Sequence, residues 1–151
     1  MRILIALCLV VSLVWSKDPK DSALQKARFI LKKMDKALES RNLAQFLKMH
    51  DKNFQFQFCK TTGKSVSDLE HVLKTDPYLS QTVVSKHHVS GDPSIPLIEK
   101  VGEKQWSFKY DEYLMLKDNV VYRSQGSITF IDDGANSKII YAEEKCPQKI
   151  F

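Results

Sequence analysis

The stretch from Gln105 to Ile131 limits what this chain can fold into more than any other. Trp106, Phe108 and Tyr110 fall on alternate positions, as do Val121 and Arg123, then Ile128 and Phe130. Aromatic and β-branched residues at period two mark strands with one buried face. Lys117-Asp118-Asn119 interrupts the first run and Asp132-Asp133-Gly134-Ala135-Asn136 the second. Gly, Asn and Asp tolerate the positive φ of tight reversals. With the return from Lys138 to Cys146, the sequence predicts three long antiparallel strands at the end of the chain.

The earlier residues supply material to cover one face of those strands. Ser22 to Gln25 has capping-box spacing and predicts a helix start. Leu24, Ala27, Ile30, Leu31, Met34, Ala37 and Leu38 then form one apolar stripe, with Lys26, Lys32, Lys33, Asp35 and Glu39 mainly off it. Asn42 caps a second, shorter helix carrying Leu43, Phe46, Leu47 and Met49. Phe54, Phe56 and Phe58 alternate with Gln55, Gln57 and Cys59, which predicts a strand with one buried side. Thr61 to Lys64 reads as a turn, and Ser65 caps a third helix that stops at Asp76-Pro77. Thr82 to Val89 reads as strand, residues 91–96 as a stiff loop, and Leu97 to Val101 as a weaker strand.

Helices gathered early and strands late predict an α+β fold, three helices on one face of a curved, mostly antiparallel sheet of about six strands. The curvature is read from two places. The aromatic alternation slips at Asp111-Glu112 as a bulge would cause, and Gly126 lies inside a strand pattern, where glycine marks a kink.

Arg2, the apolar run Ile3 to Val14 and the small Ser16 have the layout of a secretory signal peptide over residues 1–16. A single domain of residues 17–151 then follows, secreted and extracellular. Cys8 leaves with the signal, and the remaining Cys59 and Cys146 most simply form one bridge in an oxidising compartment. No second apolar segment is long enough to span a membrane. The formal charge of +5 is spread along the chain rather than gathered in a stripe, so nucleic acid is not an expected partner.

The order of elements resembles the nuclear transport factor 2-like family, a cone of three helices and a curved sheet. The likeness is carried by the long opening helix, by Leu43 to His50 leading through Asp51 into the Phe54-Phe56-Phe58 strand, and by the three final strands. Small secreted single-domain members found in nematodes are more similar still: a cysteine ends their first strand, as Cys59 does, and a tryptophan opens a late strand, as Trp106 does. The resemblance implies that the first and last strands run side by side and parallel, which brings Cys59 and Cys146 together as a disulfide. It implies no reaction, because the fold hosts isomerases, dehydratases, carriers and interaction domains.

His87 and His88 are adjacent, so on a strand they point to opposite faces and cannot chelate one ion together. His50 sits near a helix end, where the dipole favours its charge, and His71 lacks a partner at ligand spacing. Neither a metal nor a cofactor is expected. A bulge at Asp111-Glu112 could turn one carboxylate into the cone near Tyr110 or Tyr113 as a general base. Alternatively both acids lie on the solvated face with Lys109 and Arg123 as cross-strand partners, and this is the reading preferred.

The expected function is therefore a secreted, non-enzymatic domain that binds a small apolar ligand or a partner protein in or around the cone. The alternatives are a small-molecule isomerase or hydro-lyase using a carboxylate in the cone, and a structural module that dimerises through the sheet. The cavity should be lined by Leu31, Met34, Phe56, Phe58, Trp106, Phe108 and Tyr110, without a competent acid–base pair. Its orienting residues should be Tyr110, Glu112, Tyr113 and Arg123.

Overall fold

The structure is a computed structural model that describes residues 18–151; the signal peptide expected at residues 1–16 lies outside the described residues. Helix α1 (Pro19–Glu39) is capped by Asp18, four residues before Ser22. Asp18 wins the cap because its carboxylate accepts from the Lys20 N–H and Pro19 is preset for the first helical position. Helices α2 (Leu43–Lys48) and α3 (Val66–Thr75) begin at the predicted caps, Asn42 and Ser65, whose side chains accept from Gln45 and Asp68. No helix among the described residues is long and apolar enough to cross a membrane.

The strands are β1 (His50–Phe58), β2 (Thr61–Gly63), β3 (Thr82–Val89), β4 (Glu99–Lys100), β5 (Gln105–Leu116), β6 (Val121–Ile131), β7 (Lys138–Glu144) and β8 (Gln148–Lys149). They form one sheet of eight strands rather than about six, ordered β2-β1-β7-β6-β5-β3, with β4 on β5 and β8 on β6. The two extra pieces at the front and back are short. Residues 61–63, expected as a turn, hydrogen-bond to β1 instead, and the reversal falls on Cys59 at φ 44°. As the resemblance implied, β1 and β7 are parallel. Their ends are joined by the Cys59–Cys146 disulfide, with Cα atoms 4.4 Å apart.

The sheet bends, but not at Asp111-Glu112. Strands β5 and β6 keep continuous register from Gln105 opposite Ile131 to Met115 opposite Val121. The irregularities lie instead in β1 between His50 and Gln55, in β3 between Thr82 and Val84, and where β7 passes Thr129 and Phe130. Gly126, expected to mark a kink, lies in continuous register with β5; it faces Tyr110 across the pair, and a Cβ there would lie 2.5 Å from the phenol oxygen. Glycine is needed to let that ring in.

The α1 stripe, Ala23, Ala27, Ile30, Leu31 and Met34, packs with Phe54, Phe56, Trp106, Phe108, Ile128 and Phe130 into a solid core. At about 25 cal/mol per Å2 of apolar surface removed from water, this is the main source of stability. The cone is thus filled at the end where Trp106 lies. It opens at the other end, beneath α2 and α3.

Candidate functional site

Helix α1 places Asp35 and Glu39 four residues apart, so both project from one side over the edge strand β3. There they satisfy backbone groups that no neighbouring strand pairs. Glu39 accepts from the Ser85 N–H at 2.9 Å, and Asp35 accepts from the His87 N–H at 3.1 Å. Acidic side chains over an edge strand block it from pairing with another chain. Ser85 Oγ also donates to Asp35, at 2.8 Å.

The same geometry delivers a buried chain of ion pairs. His87 points inward, its side chain only 2% exposed, with Nδ1 2.6 Å from Asp35 Oδ1 and Nε2 2.9 Å from Glu112 Oε1. Two ring nitrogens facing two carboxylates both carry protons. Burial alone would strip the proton from His87, but Glu112 and Asp35 outweigh it and hold the imidazolium up to about 10. Burial likewise works against the Glu112 charge, and the His87 charge with hydrogen bonds from His87 and Ser124 brings its pKa below the ordinary range. Ser124 Oγ donates to Glu112 Oε2 at 2.6 Å.

Glu144 completes the group. It is hydrogen-bonded to Glu112 and Ser124, and the Tyr110 hydroxyl donates to it at 3.4 Å. Burial first, and then the Glu112 charge, push the Glu144 pKa up to about 8, so near neutral pH it is a neutral acid. Burial and the charges of Glu144 and Glu112 push the Tyr110 phenol well above its usual range.

This cluster forms the floor of a cavity of about 280 Å3 in the open end of the cone. Its walls are Leu38 of α1, Phe46 of α2, Leu69, Val72 and Leu73 of α3, Tyr78, Leu79, Phe58 and Leu114. His87, Glu112 and Glu144 reach it from below, and Lys60, Thr61 and Asp76 also line it. A larger hollow of about 570 Å3 lies on the outer sheet face, bordered by Gln57, Lys109, Gln125, Ser127 and Glu143. Tyr110 and Glu144 also touch this hollow, but most of its border is polar and solvated. The smaller cavity meets Glu144 together with His87 and Glu112 beneath apolar walls, so it is the candidate site.

Of the residues expected to orient a ligand, Glu112 lines the cavity and Tyr110 touches its floor through Glu144. Tyr113 and Arg123 do not join them. They lie on the outer face, where Tyr113 stacks on His88 at 5.8 Å and Arg123 donates to Asp111 at 3.0 Å. That pair is the cross-strand arrangement weighed for the solvated face, but only Asp111 takes it; Glu112 faces inward. His87 and Glu112 meet inside the cone as an ion pair whose polar atoms are already engaged with each other, Asp35 and Ser124.

The expected lining also shifts. Only Phe58 of the seven residues borders the cavity; Leu31, Met34, Phe56, Trp106, Phe108 and Tyr110 are core. His50 is buried beside Phe46 and donates to its carbonyl at 2.9 Å, and burial lowers its pKa to about 4, so it is not the charged helix-end group expected. Among the described residues no three His, Cys, Asp or Glu side chains converge to hold a metal.

Asp35, His87, Ser124 and Glu144 were not read from the sequence as a site. The available signals were Asp35 beside the α1 stripe, and Glu112 and Ser124 in step with inward aromatic and aliphatic neighbours.

No family model matches this chain. No curated protein matches its sequence. Solved structures do match in shape. An NTF-2 like protein of unknown function from Shewanella oneidensis superposes with a TM-score of 0.63 at 12% identity, over 85% of this chain and 99% of that one. A cystatin-like domain from Nostoc punctiforme gives 0.64 at 12% identity, over 86% and 78%. A hexachlorocyclohexane dehydrochlorinase gives 0.60 at 9% identity, over 87% and 93%. The chain carries the nuclear transport factor 2-like, cystatin-like fold.

Proposed function

We propose that this protein binds a small, largely apolar molecule in the open end of the cone, outside the cell and without converting it. The observation that carries this reading is the cavity of about 280 Å3, walled by aliphatic and aromatic side chains over a floor of three convergent polar groups. That composition is typical of small-molecule sites. The extracellular setting is supported by the signal-like opening of the sequence and by the Cys59–Cys146 bridge, since such bridges persist in oxidising compartments. The test is titration with an environment-sensitive apolar dye. Binding is expected for the native chain and lost in Val72→Trp, which fills the cavity; a native chain that leaves the dye unmoved would overturn the reading.

A reaction is the second reading, favoured by Glu144. A carboxyl group with a pKa of about 8 on the wall of an apolar cavity can give or take a proton near neutral pH. The reading is supported by the fact that one solved structure of the same fold is a hexachlorocyclohexane dehydrochlorinase. His87 and Glu112 are less free to act: both nitrogens of the one and both oxygens of the other are engaged within the cluster. An isomerase or hydro-lyase would thus work through Glu144. Deuterium exchange next to the carbonyl of a small ketone, lost in Glu144→Gln, would establish it in place of simple binding.

A further inference from the structure

The charges at the cavity floor are of one excess sign. The imidazolium of His87 lies between the carboxylates of Asp35 and Glu112, which leaves one negative charge over. Glu144 stands against Glu112 with the proton that keeps the two carboxyl groups together. The groups facing Glu144 are Glu112 and Tyr110 from β5, His87 from β3 and Ser124 from β6. Lys60 and Asp76 also line the cavity, one of each sign, and Lys60 is exposed. Among the described residues that line the cavity, the one cation outside the His87 ion pairs is thus Lys60, on the exposed border rather than the floor.

We infer that the molecule accepted here is an organic cation, a primary amine on a compact apolar body, and this rests on the binding reading above. An ammonium group can replace the proton held between Glu112 and Glu144, leaving the net charge of the floor unchanged. A carboxylate would add a second uncompensated negative charge in a low-dielectric site, where like charges repel strongly. A neutral alcohol would gain one hydrogen bond and no charge partner. The volume of about 280 Å3 is at the small end for ligand pockets and suits one ring with a short linker. Leu69, Val72, Leu73 and Leu114 provide the apolar wall for that ring.

Because Glu144 holds its proton up to about 8, binding a cation there releases it. Amine affinity should then rise with pH by up to about tenfold per unit between pH 6 and 8, and level off above.

The experiment is isothermal titration calorimetry of the native protein with 3-phenylpropylamine, 3-phenylpropanol and 3-phenylpropionate, in buffers of differing ionisation enthalpy. The amine should bind at least about tenfold more tightly than the alcohol, and the carboxylate more weakly than either. Close to one proton should leave per amine bound at pH 7. In Glu144→Gln the amine and alcohol should come within about threefold of each other and the pH dependence should vanish. Should that variant fail to fold, the proton count on the native protein decides alone. Alcohol binding equal to or tighter than amine binding, or a tightest carboxylate, would overturn the amine inference and leave the pocket standing. If none of the three binds, the pocket reading falls with it.

Discussion

Strand β5 builds two unlike regions with one uninterrupted alternation. In its first half Trp106, Phe108 and Tyr110 face α1 and are packed solid with Ala27, Ile30 and Phe130. In its second half Glu112 and Leu114 take the same inward positions and face a cavity. Alternation fixes which face of a strand points inward; what covers that face decides whether the result is core or site. At the filled end the α1 stripe supplies the cover, and at the open end α2 and α3 hold only the rim. The charged group occurs where that cover is thin, with each charge answered by a partner, as buried charges require.

The largest test of that contrast is the disulfide. Cys59 borders the open end, and the bridge closes a loop spanning 87 positions of sequence. The double substitution Cys59→Ser with Cys146→Ser should lower stability by about 4–5 kcal/mol on the chain-entropy account. Urea unfolding of the oxidised and substituted chains would measure it, and a loss below about 1 kcal/mol would detach the bridge from the fold's stability.

Next is truncation at each end. Phe130→Ala, at a fully buried position in the filled end, should cost about 3–5 kcal/mol through lost burial and the cavity left behind. Leu73→Ala, half-buried on the wall of the open end, should cost under about 2 kcal/mol, because its surroundings are already empty. Equal losses would mean that the two ends are packed alike.

The paired histidines sharpen the contrast within two adjacent residues. His87→Leu strands two carboxylates and should cost about 3 kcal/mol or more. His88→Leu removes only an outer-face stack on Tyr113 and should stay within about 0.5 kcal/mol.

The smallest effect is the pH dependence. In the folded chain His87 holds its proton up to about 10 against 6.5 in the unfolded chain, and Glu144 up to about 8 against 4.5. Over those intervals the native state binds more protons, so their stabilising contributions are complete at the low end and lost as pH rises. His50, lowered from 6.5 to about 4 by burial, acts in the opposite direction and loses its contribution as pH falls through that interval. Stability should therefore decline most steeply between pH 6.5 and 8, and Glu144→Gln should make that decline shallower. Urea midpoints from pH 5 to 10 would show it; a rise across that window would contradict the assignment.

Much of the fold could be read from the sequence because period and caps are local. The Trp106 to Phe130 alternation and the Asn42 and Ser65 caps correspond to features of the structure, whereas the parallel strands that join Cys59 to Cys146 were implied by the family resemblance. The site was less legible. Tyr113 drew attention as an aromatic, and placing it inside required a bulge; without the bulge, Glu112 is the inward residue and Tyr113 the outward one. Glu144 shares the inward face with Ala142 by alternation but with Ile139 only because β7 slips by one residue at Ile140, which no local pattern announces. Asp35 was placed on the solvated side of α1, although it is the exposed edge of β3 that draws it inward.

The most direct test of the account is a 15N-resolved NMR titration of the folded chain with 3-phenylpropylamine. The account predicts saturable shifts confined to Leu69 to Leu79 and to His87, Glu112, Leu114 and Glu144, with Trp106 and Phe130 unmoved. Saturable shifts centred on the Trp106 end or on the outer face at Gln125 and Ser127, or no saturable shifts at all, would contradict it.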